Sequence, residues 1–287
     1  IKFFLKNLYA FIISLTGILT GKWWLGILYE ESIYLNYLTF LNKKLYAKEY
    51  FFRNTRWFHK PLWCYHVESF GSYVSLYNSS CNMIKFFRPE IKEPDTYGLK
   101  TMSWNRYIVW DKHQEEFYKK YSPKSEFIES GYINLGGAPF NLNLKKHKKT
   151  LAIFDVTPSR TFHHCNQGFA LPTSIPKWSL DFFGDIISVF HPEWSIIWKK
   201  KRNVLYYFTS KKFLRDRDKV TQDIISINSD TAVASIIKKS DAVICMPFTS
   251  PAIIAKMENV PSLFYNTTNF NKYKKVHGIQ VLYNKIE

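Results

Sequence analysis

Residues 230–265 constrain the fold of this chain more than any other stretch, because they alternate helix patterns with short buried strands. The spacing predicts a helix over 231–239, a strand over 241–245, a second helix beginning at Pro251, and a strand over 262–265. A strand, a helix and a strand in this order form a βαβ unit. The sequence therefore predicts an α/β fold.

The turn inside this βαβ unit carries the first candidate site. Thr249 and Ser250 follow the strand directly and precede a helix whose Pro251 suits the first helical position. Backbone N–H groups and two hydroxyls that meet at the carboxyl end of a strand can hold a phosphate. The same geometry also fits a Ser250 that only caps the helix, so both interpretations remain open.

A second α/β region lies in the first half of the chain. Residues 62–70 have helical spacing and residues 73–77 alternate as a strand. The segment 134–149 contains glycines, a proline and a basic run without periodicity, which is typical of a domain boundary. A length of 287 residues suits two domains better than one. We therefore expect Rossmann-like domains over 1–140 and 141–287.

The charge balance favours an anionic partner. The chain has 40 Lys and Arg against 23 Asp and Glu, a net charge of +17. Nucleotides, acidic glycans, phospholipid headgroups and nucleic acids all fit this charge. The four cysteines form no paired framework, which indicates a reducing, cytoplasmic compartment.

The first 48 residues are apolar and aromatic with scattered lysines. Their most apolar run, 7–21, lies between Lys6 and Lys22 and is shorter than the ~20 residues that a spanning helix needs. We expect a buried or interfacial helix there. Packing in the core is favoured over membrane contact, although both environments accept these residue types.

Asp155 is the leading catalytic candidate. It ends a buried strand predicted over 151–156, the first strand of the second domain. A carboxylate in this place points into the ligand crevice, where a catalytic base or a nucleophile belongs. A local role in holding its own turn is the alternative. Asp241 begins its strand and is expected to point away from the crevice.

Further polar residues follow strands or lie in a long loop. Arg160, His163 and His164 belong to the loop 159–177, which is too long for an ordinary connection, and we expect them to hold an anionic group. Ser210, Lys211 and Lys212 follow a strand predicted over 204–208. Asn78, Ser79 and Ser80 follow the strand over 73–77, where a simple turn is the alternative.

The sequence offers no convincing metal site. His163, His164 and Cys165 are consecutive and lack the usual spacing of zinc ligands. The Asp216–Arg217–Asp218 triplet lies among competing cations, which a hard metal ion does not favour. We expect neither a metal nor another cofactor.

Several short motifs together resemble a known family. In chain order they are PLWCYHVESFG, LYNSSC, WNRYIVWDKHQEEF, ESGYI, IFDVTP, SDAVICMPFTSPAIIAK and PSLFYNTTNF. They are similar to bacterial surface-polysaccharide glycosyltransferases of the GT-B type, and within these to transferases that use CMP-activated ulosonic acids such as Kdo. The resemblance covers most of the chain from about Tyr50.

The resemblance implies two Rossmann-like domains facing a cleft, with a nucleotide sugar on the C-terminal domain and an acceptor glycan on the N-terminal domain. It implies Asp155 as the catalytic carboxylate, Glu68 as a second carboxylate, and Thr249 and Ser250 at the donor phosphate. The full donor set is Thr249, Ser250, Pro251, Ser210, Lys211, Lys212, Arg160, His163 and His164. The acceptor set is Asn78, Ser79, Ser80 and Arg106.

The expected function is transfer of a Kdo-type sugar from a CMP-linked donor to a surface polysaccharide or a lipid-linked glycan. The enzyme would act in the cytoplasm, and the basic surface allows peripheral contact with anionic lipid at the inner face of the membrane. A catalytically silent nucleotide- or glycan-binding protein of the same fold is the alternative. Nucleic-acid binding is suggested by charge only and is not expected.

Overall fold

The computed structural model describes residues 1–54, 59–80, 102–134, 136–140, 148–156, 175–201, 210–268 and 273–283. The chain divides into two compact units. The first unit falls within 1–79 and 96–130, and the second falls within 80–95 and 131–287. Each contains its own sheet. The α/β class is therefore confirmed.

The first unit begins with two long helices and continues as a parallel α/β sheet. Its helices are α1 (Lys2–Leu19), α2 (Trp24–Phe40), α3 (Leu62–Glu68) and α4 (Lys112–Lys119), with a 3-10 turn at Lys43–Leu45. Its strands are β1 (Glu49–Asn54), β2 (Tyr73–Asn78), β3 (Arg106–Val109) and β4 (Glu126–Glu129). They pair in the order β1-β2-β3-β4, all parallel.

Aromatic packing and a buried ion pair hold the first unit together. Tyr107 of β3 stacks on Tyr118 of α4 and on Phe127 of β4, with ring centroids 5.3 Å apart in both pairs. The side chain of Lys60 is fully buried, and its Nζ lies 2.6 Å from Glu68 Oε2. The ring contacts join α4 to the sheet, and the ion pair holds the end of α3 to the segment that precedes this helix.

The second unit contains the helices α5 (Ile175–Phe190), α6 (Lys211–Val220), α7 (Val233–Ile237) and α8 (Ser250–Met257). Its strands are β5 (Thr150–Phe154), β6 (Ser195–Lys199), β7 (Ile225–Ile227), β8 (Ala242–Cys245), β9 (Ser262–Asn266), β10 (Lys275–Val276) and β11 (Ile279–Tyr283). The order is β10-β11-β9-β8-β5-β6-β7, and only the β10–β11 pair is antiparallel.

This strand order is that of a Rossmann domain. Starting from β5, the chain adds β6 and β7 on one side and then returns to add β8 and β9 on the other. The direction of strand addition therefore reverses between β5 and β8, which is where such sheets bind their ligands. Phe182 and Phe183 of α5 pack on this sheet and are fully buried.

The unit boundary differs from the expected position near residue 140, because residues 136–140 are attached to the second unit. Ala138 forms a parallel bridge with Thr231, and the Phe140 N–H donates to Ser235 Oγ over 3.1 Å. Gly137 has φ 124°, and a Cβ at this position would lie 2.9 Å from the Ala232 Cα. The glycine that suggested a linker thus permits a close approach of two backbones.

The expectation that the N-terminal segment packs in the core is wrong. Ser14 and Gly17 are the buried residues of α1, and α2 has none. Among the described helices, α1 is the one long and apolar enough to cross a membrane. Its 18 residues have a mean hydropathy of 1.4, and 11% of them are buried. The apolar surface of this segment faces outward because the helices pair through small and polar residues.

Candidate functional site

Asp155 and the turn at 247–250 lie side by side at the point where the strand order reverses. Phe154 of β5 pairs with Cys245 of β8, and the Met246 N–H donates to the Phe154 carbonyl over 2.9 Å. The segments that follow β5 and β8 both leave the sheet at its carboxyl edge. Asp155 and the turn at 247–250 therefore lie next to each other at this edge of the second sheet.

The carboxyl group of Asp155 is buried and held from the neighbouring strand. Trp198 of β6 donates its Nε1–H to Asp155 Oδ1 over 3.3 Å. Burial raises the pKa of Asp155 to about 6, and the Trp198 hydrogen bond and the charges of Lys201 and Arg217 oppose that rise. An acid with a pKa close to the working pH can exchange a proton during a reaction.

Three cationic side chains, those of Lys199, Lys201 and Arg217, interact electrostatically with this carboxyl group. The Arg217 guanidinium of α6 lies 5.2 Å from the centre of the Trp198 ring and bonds Asp218 Oδ1 at 2.8 Å. Lys199 donates to the Ser229 carbonyl over 2.7 Å, and burial lowers the pKa of its amine. The site therefore combines a proton-accepting carboxyl group with positive charge that suits an anionic ligand.

The sequence did not identify Trp198 or the lysines that follow it as site residues. It placed the strand of this region at 204–208, and residues 202–209 lie outside the described part of the chain. The strand seen to pair with β5 is β6, which ends in Trp198 and Lys199. The signal was present as an apolar run followed by three lysines, because polar residues directly after an apolar run also marked the other strand ends.

The turn at 247–250 is shaped by aromatic packing and by Thr249. Phe248 contacts the rings of Phe264 and Tyr273 at centroid distances of 5.4 and 5.8 Å. Thr249 occupies the N-cap position of α8 but donates its hydroxyl to the Met246 carbonyl over 3.0 Å. Ser250 is the first helical residue, so the capping interpretation of Ser250 is wrong.

The start of α6 contains three of the expected donor residues: Ser210 precedes the helix, and Lys211 and Lys212 are its first two residues. The Ser210 hydroxyl accepts from the Phe213 N–H over 3.1 Å and caps the helix. Lys211 and Lys212 are exposed in its first turn. Because α6 connects the parallel strands β6 and β7, it begins at the carboxyl edge of the sheet. Arg160, His163 and His164 lie outside the described residues.

The residues expected to bind the acceptor do not all lie in one place. Asn78 ends β2, is buried, and accepts the Trp110 indole N–H at its carbonyl over 2.7 Å. Ser79 follows it at the carboxyl edge of the first sheet. Ser80 groups with the second unit, where its hydroxyl lies 3.1 Å from that of Ser250.

Arg106 lies at the opposite edge of the first sheet from Asn78, so its grouping with the acceptor residues is wrong. It begins β3, and its Nε donates to Glu126 Oε2 over 2.8 Å. Its guanidinium also lies 3.8 Å from the centre of the Tyr73 ring. Since all four strands are parallel, their amino ends share one edge, and Arg106 balances the acidic residues there.

Glu68 is engaged in the ion pair with Lys60 at the end of α3. Asp241 accepts the Thr150 N–H at Oδ2 over 2.7 Å, at the amino end of β5, so the expectation that it faces away from the crevice is confirmed. Asp216 and Asp218 lie in α6, and Asp218 is bonded to Arg217. Within the described ranges, no group of three His, Cys, Asp or Glu residues could hold a metal ion.

Residues 247–250 are Pro-Phe-Thr-Ser, or PFTS in one-letter code, and a protein family is named after a PFTS motif. The sequence model of the polysaccharide biosynthesis PFTS motif proteins matches residues 4–287. The chain belongs to this family. The four residues with these letters, here called the PFTS turn, connect β8 to the start of α8 directly beside Asp155. No curated protein matches the sequence.

Several solved structures are similar to this PFTS family member at low identity. A Staphylococcus aureus MnaA–UDP structure has a TM-score of 0.47 at 9% identity, covering 86% of this chain and 63% of its own. The OtsA apo structure has a TM-score of 0.43 at 9% identity, covering 84% and 62%. The chain thus spans about 62–63% of the length of these proteins.

Proposed function

We propose that this PFTS family protein is a glycosyltransferase of the GT-B type that moves a sugar from a nucleotide donor onto a glycan. The observation that carries the proposal is the adjacency of Asp155 and the PFTS turn at the reversal of strand order in the second unit. A buried carboxyl group beside a helix start offers both parts that glycosyl transfer requires. These are a group that acts at the anomeric carbon and a place for the phosphate.

The donor phosphate is assigned to the start of α8. The N-terminus of a helix carries partial positive charge and backbone N–H groups, which favour an anion. The Ser250 hydroxyl lies in the first turn of this helix. Lys211 and Lys212 begin α6 at the same edge of the sheet and supply further positive charge. No metal ion is required in this assignment.

Asp155 acts in one of two ways that the same geometry allows. As a base, its carboxylate takes the proton of the acceptor hydroxyl while that oxygen attacks the anomeric carbon and the nucleotide phosphate leaves with the bond electrons. As a nucleophile, the carboxylate oxygen bonds the anomeric carbon while the nucleotide phosphate leaves with the bond electrons. The acceptor hydroxyl then displaces the carboxylate and gives its proton to the released nucleotide phosphate. The resemblance to ulosonic-acid transferases favours the nucleophile.

The donor is assigned as a CMP-linked ulosonic acid of the Kdo type, and the acceptor as a surface polysaccharide or a lipid-linked glycan. The motif resemblance and the net charge of +17 support an acidic sugar and an anionic acceptor. We assign the acceptor to the first unit, beside Asn78 and Ser79, as the motif resemblance implies. The reaction is assigned to the cytoplasm, at the inner face of the membrane.

A panel of CMP- and UDP-linked sugars tests this function. We expect one class to raise the melting temperature, since a ligand at 100 times its dissociation constant stabilises by ~2.7 kcal/mol. We also expect release of the free nucleotide when an acceptor glycan is added. A thermal shift without nucleotide release would identify a binding protein instead, and stabilisation by UDP-sugars only would overturn the CMP assignment.

Ser250→Ala is expected to weaken donor binding by about 1 to 3 kcal/mol, the cost of a lost hydrogen bond to a charged group. Isothermal titration with the stabilising nucleotide measures this. Ser188→Ala in α5 is the matched control, because the exposed Ser188 hydroxyl donates only to the Asp185 carbonyl within its own helix. Equal affinities of the two variants would remove Ser250 from the phosphate site.

The pH dependence of kcat/KM is expected to follow the ionisation of Asp155. The pKa of this group is raised to about 6, and the base and nucleophile roles both need the carboxylate. Activity should therefore rise tenfold per pH unit below about 6 and level off above it. The rate profile of the wild-type protein measures this, and a profile without a break between pH 5 and pH 7 would contradict it.

A further inference from the structure

The hairpin formed by α1 and α2, residues 2–40, has its polar and apolar sides reversed relative to a helix pair in water. The least exposed residues of α1 recur at helical spacing and are all small or polar: Asn7, Ala10, Ser14 and Gly17. Large apolar side chains cover the remaining sides of α1, with Phe4 exposed to 69%, Ile12 to 53% and Leu19 to 78%. Water-soluble hairpins bury their large apolar residues and expose their polar ones.

The contacts between the two helices are those found between helices in lipid. Asn36 donates its Nδ2–H to Asn7 Oδ1 over 3.0 Å, and the Ser14 hydroxyl donates to the Leu25 carbonyl over 3.1 Å. A Cβ on Gly17 would lie 2.7 Å from Leu25 Cδ1, so glycine permits the close approach. Small residues and interhelical hydrogen bonds associate helices where the surroundings are as apolar as leucine.

Charged and amphipathic residues flank the apolar surface. Lys2 and Lys6 begin α1, and Lys22 with Trp23 and Trp24 lies at the tip of the hairpin. Further lysines follow α2 at positions 43, 44 and 48. Trp and Lys beside an apolar helix favour the boundary between acyl chains and headgroups, and the positive charge is complementary to anionic lipid.

We propose that α1 inserts into the apolar layer of an anionic membrane and anchors the protein there. A protein partner would cover one stripe of α1, whereas lipid covers a helix that is apolar on all sides except the one facing α2. This anchoring goes beyond the proposed transfer reaction and does not depend on it.

The helix lies in the plane of the membrane rather than across it. The adjoining helix α2 carries Glu30 and Glu31, and Glu31 accepts the Leu62 N–H over 2.8 Å and pairs with His59 at 2.5 Å. Because α1 packs along α2, and α2 is fixed to α3 of the first unit, α1 could cross only by drawing these carboxylates into the bilayer. Charges at the bilayer centre are costly.

Flotation with vesicles of phosphatidylglycerol and phosphatidylcholine tests the anchor with the full chain. We expect the protein to float with the vesicles and to remain bound in about 1 M salt, where surface charges are screened beyond ~3 Å. Release at high salt would show a peripheral electrostatic contact and overturn the insertion. Failure to float at any salt concentration would overturn it too.

The variant F4Q/I12Q/L19Q tests whether lipid or another protein chain covers the apolar surface of α1. It changes three exposed residues of α1 and should lower the partition coefficient into vesicles at least ~10²-fold, because each apolar side chain favours the membrane. The matched control V189Q/I225Q/M257Q changes three exposed apolar residues of the second unit and should bind like the wild type. If the wild type forms a dimer that the first variant abolishes, while neither binds vesicles, a second copy covers α1 and the proposal fails.

Labelling distinguishes the in-plane orientation from a spanning one. In protein added to the outside of vesicles, cysteines introduced as K2C and as K22C should both react with a membrane-impermeant maleimide, since both ends of α1 remain on one side. The parent for both is C81S/C165S, because Cys64 and Cys245 are buried. Protection of one end and reaction of the other would overturn the in-plane placement.

Discussion

Replacing Asp155 with Asn is expected to lower turnover at least ~10²-fold while leaving donor binding intact, the low end of what a positioned acid or base supplies. The amide keeps the oxygen that accepts the Trp198 N–H, so the local geometry survives. It can neither take a proton from an acceptor hydroxyl nor attack the anomeric carbon. Single-turnover and steady-state kinetics with the donor found in the panel measure the loss.

Asp223→Asn is the matched control, because it makes the same chemical change at an exposed position of the same unit. It should leave turnover unchanged. Near-normal transfer by Asp155→Asn would remove this residue from the mechanism. Mass spectrometry of the wild type after quenching distinguishes its two roles, since a sugar adduct on Asp155 forms only if the carboxylate is the nucleophile.

The same substitution should stabilise the folded protein above pH 6. Burial disfavours the ionised carboxylate in the folded state, so its pKa is raised from 3.8 to about 6. This penalty is absent below about pH 4, grows as the pH rises through 6, and is then constant. At ~1.4 kcal/mol per pKa unit, removing it contributes up to ~3 kcal/mol. Urea denaturation of both proteins at pH 4 and pH 8 measures the difference.

Replacing Lys60 with Met is expected to destabilise the first unit by about 3 kcal/mol or more, since breaking a buried ion pair leaves a charge without its partner. The Lys60 Nζ lies 2.6 Å from Glu68 Oε2 and 3.1 Å from the Ser103 carbonyl, in a side chain with no solvent exposure. Glu68 Oε1 is buried without a hydrogen-bond partner among the described residues. The remaining carboxylate would therefore depend on Lys60.

The double variant K60M/E68L should recover most of this loss, because an apolar pair of similar volume often replaces a buried ion pair at little cost. Lys119→Met, which breaks the Glu115–Lys119 pair on the solvent-facing side of α4, is the matched control and should cost less than ~0.5 kcal/mol. Chemical denaturation measures all three. Turnover of the double variant also tests Glu68, since normal transfer would assign the residue to stability and remove it from catalysis.

Much of the second sheet could be predicted from the sequence because its signals are local. The runs that became β5, β8 and β9 are short, apolar and bounded by turn residues, and the chain connects them through helices. Asp155 and Ser250 became candidates because each follows such a run. Their proximity required only that parallel strands end at the same edge of a sheet.

The remaining features depend on long-range contacts. The runs at 195–199 and 204–208 are both apolar, and periodicity alone does not identify the one that pairs with β5. Arg106 begins β3, and its three partners, Glu49, Glu126 and Tyr73, belong to other strands of the sheet, so no local pattern predicts its place. The exposure of α1 was missed because apolar composition is the same in a protein core and in lipid.

A crystal structure with the nucleotide that gives the largest thermal shift tests the central claim most directly. We expect the nucleotide at the carboxyl edge of the second sheet, with phosphate oxygens within hydrogen-bond distance of the first turn of α8 and the leaving oxygen facing Asp155. A nucleotide bound at the amino edge of that sheet, or on the first unit, would contradict the account.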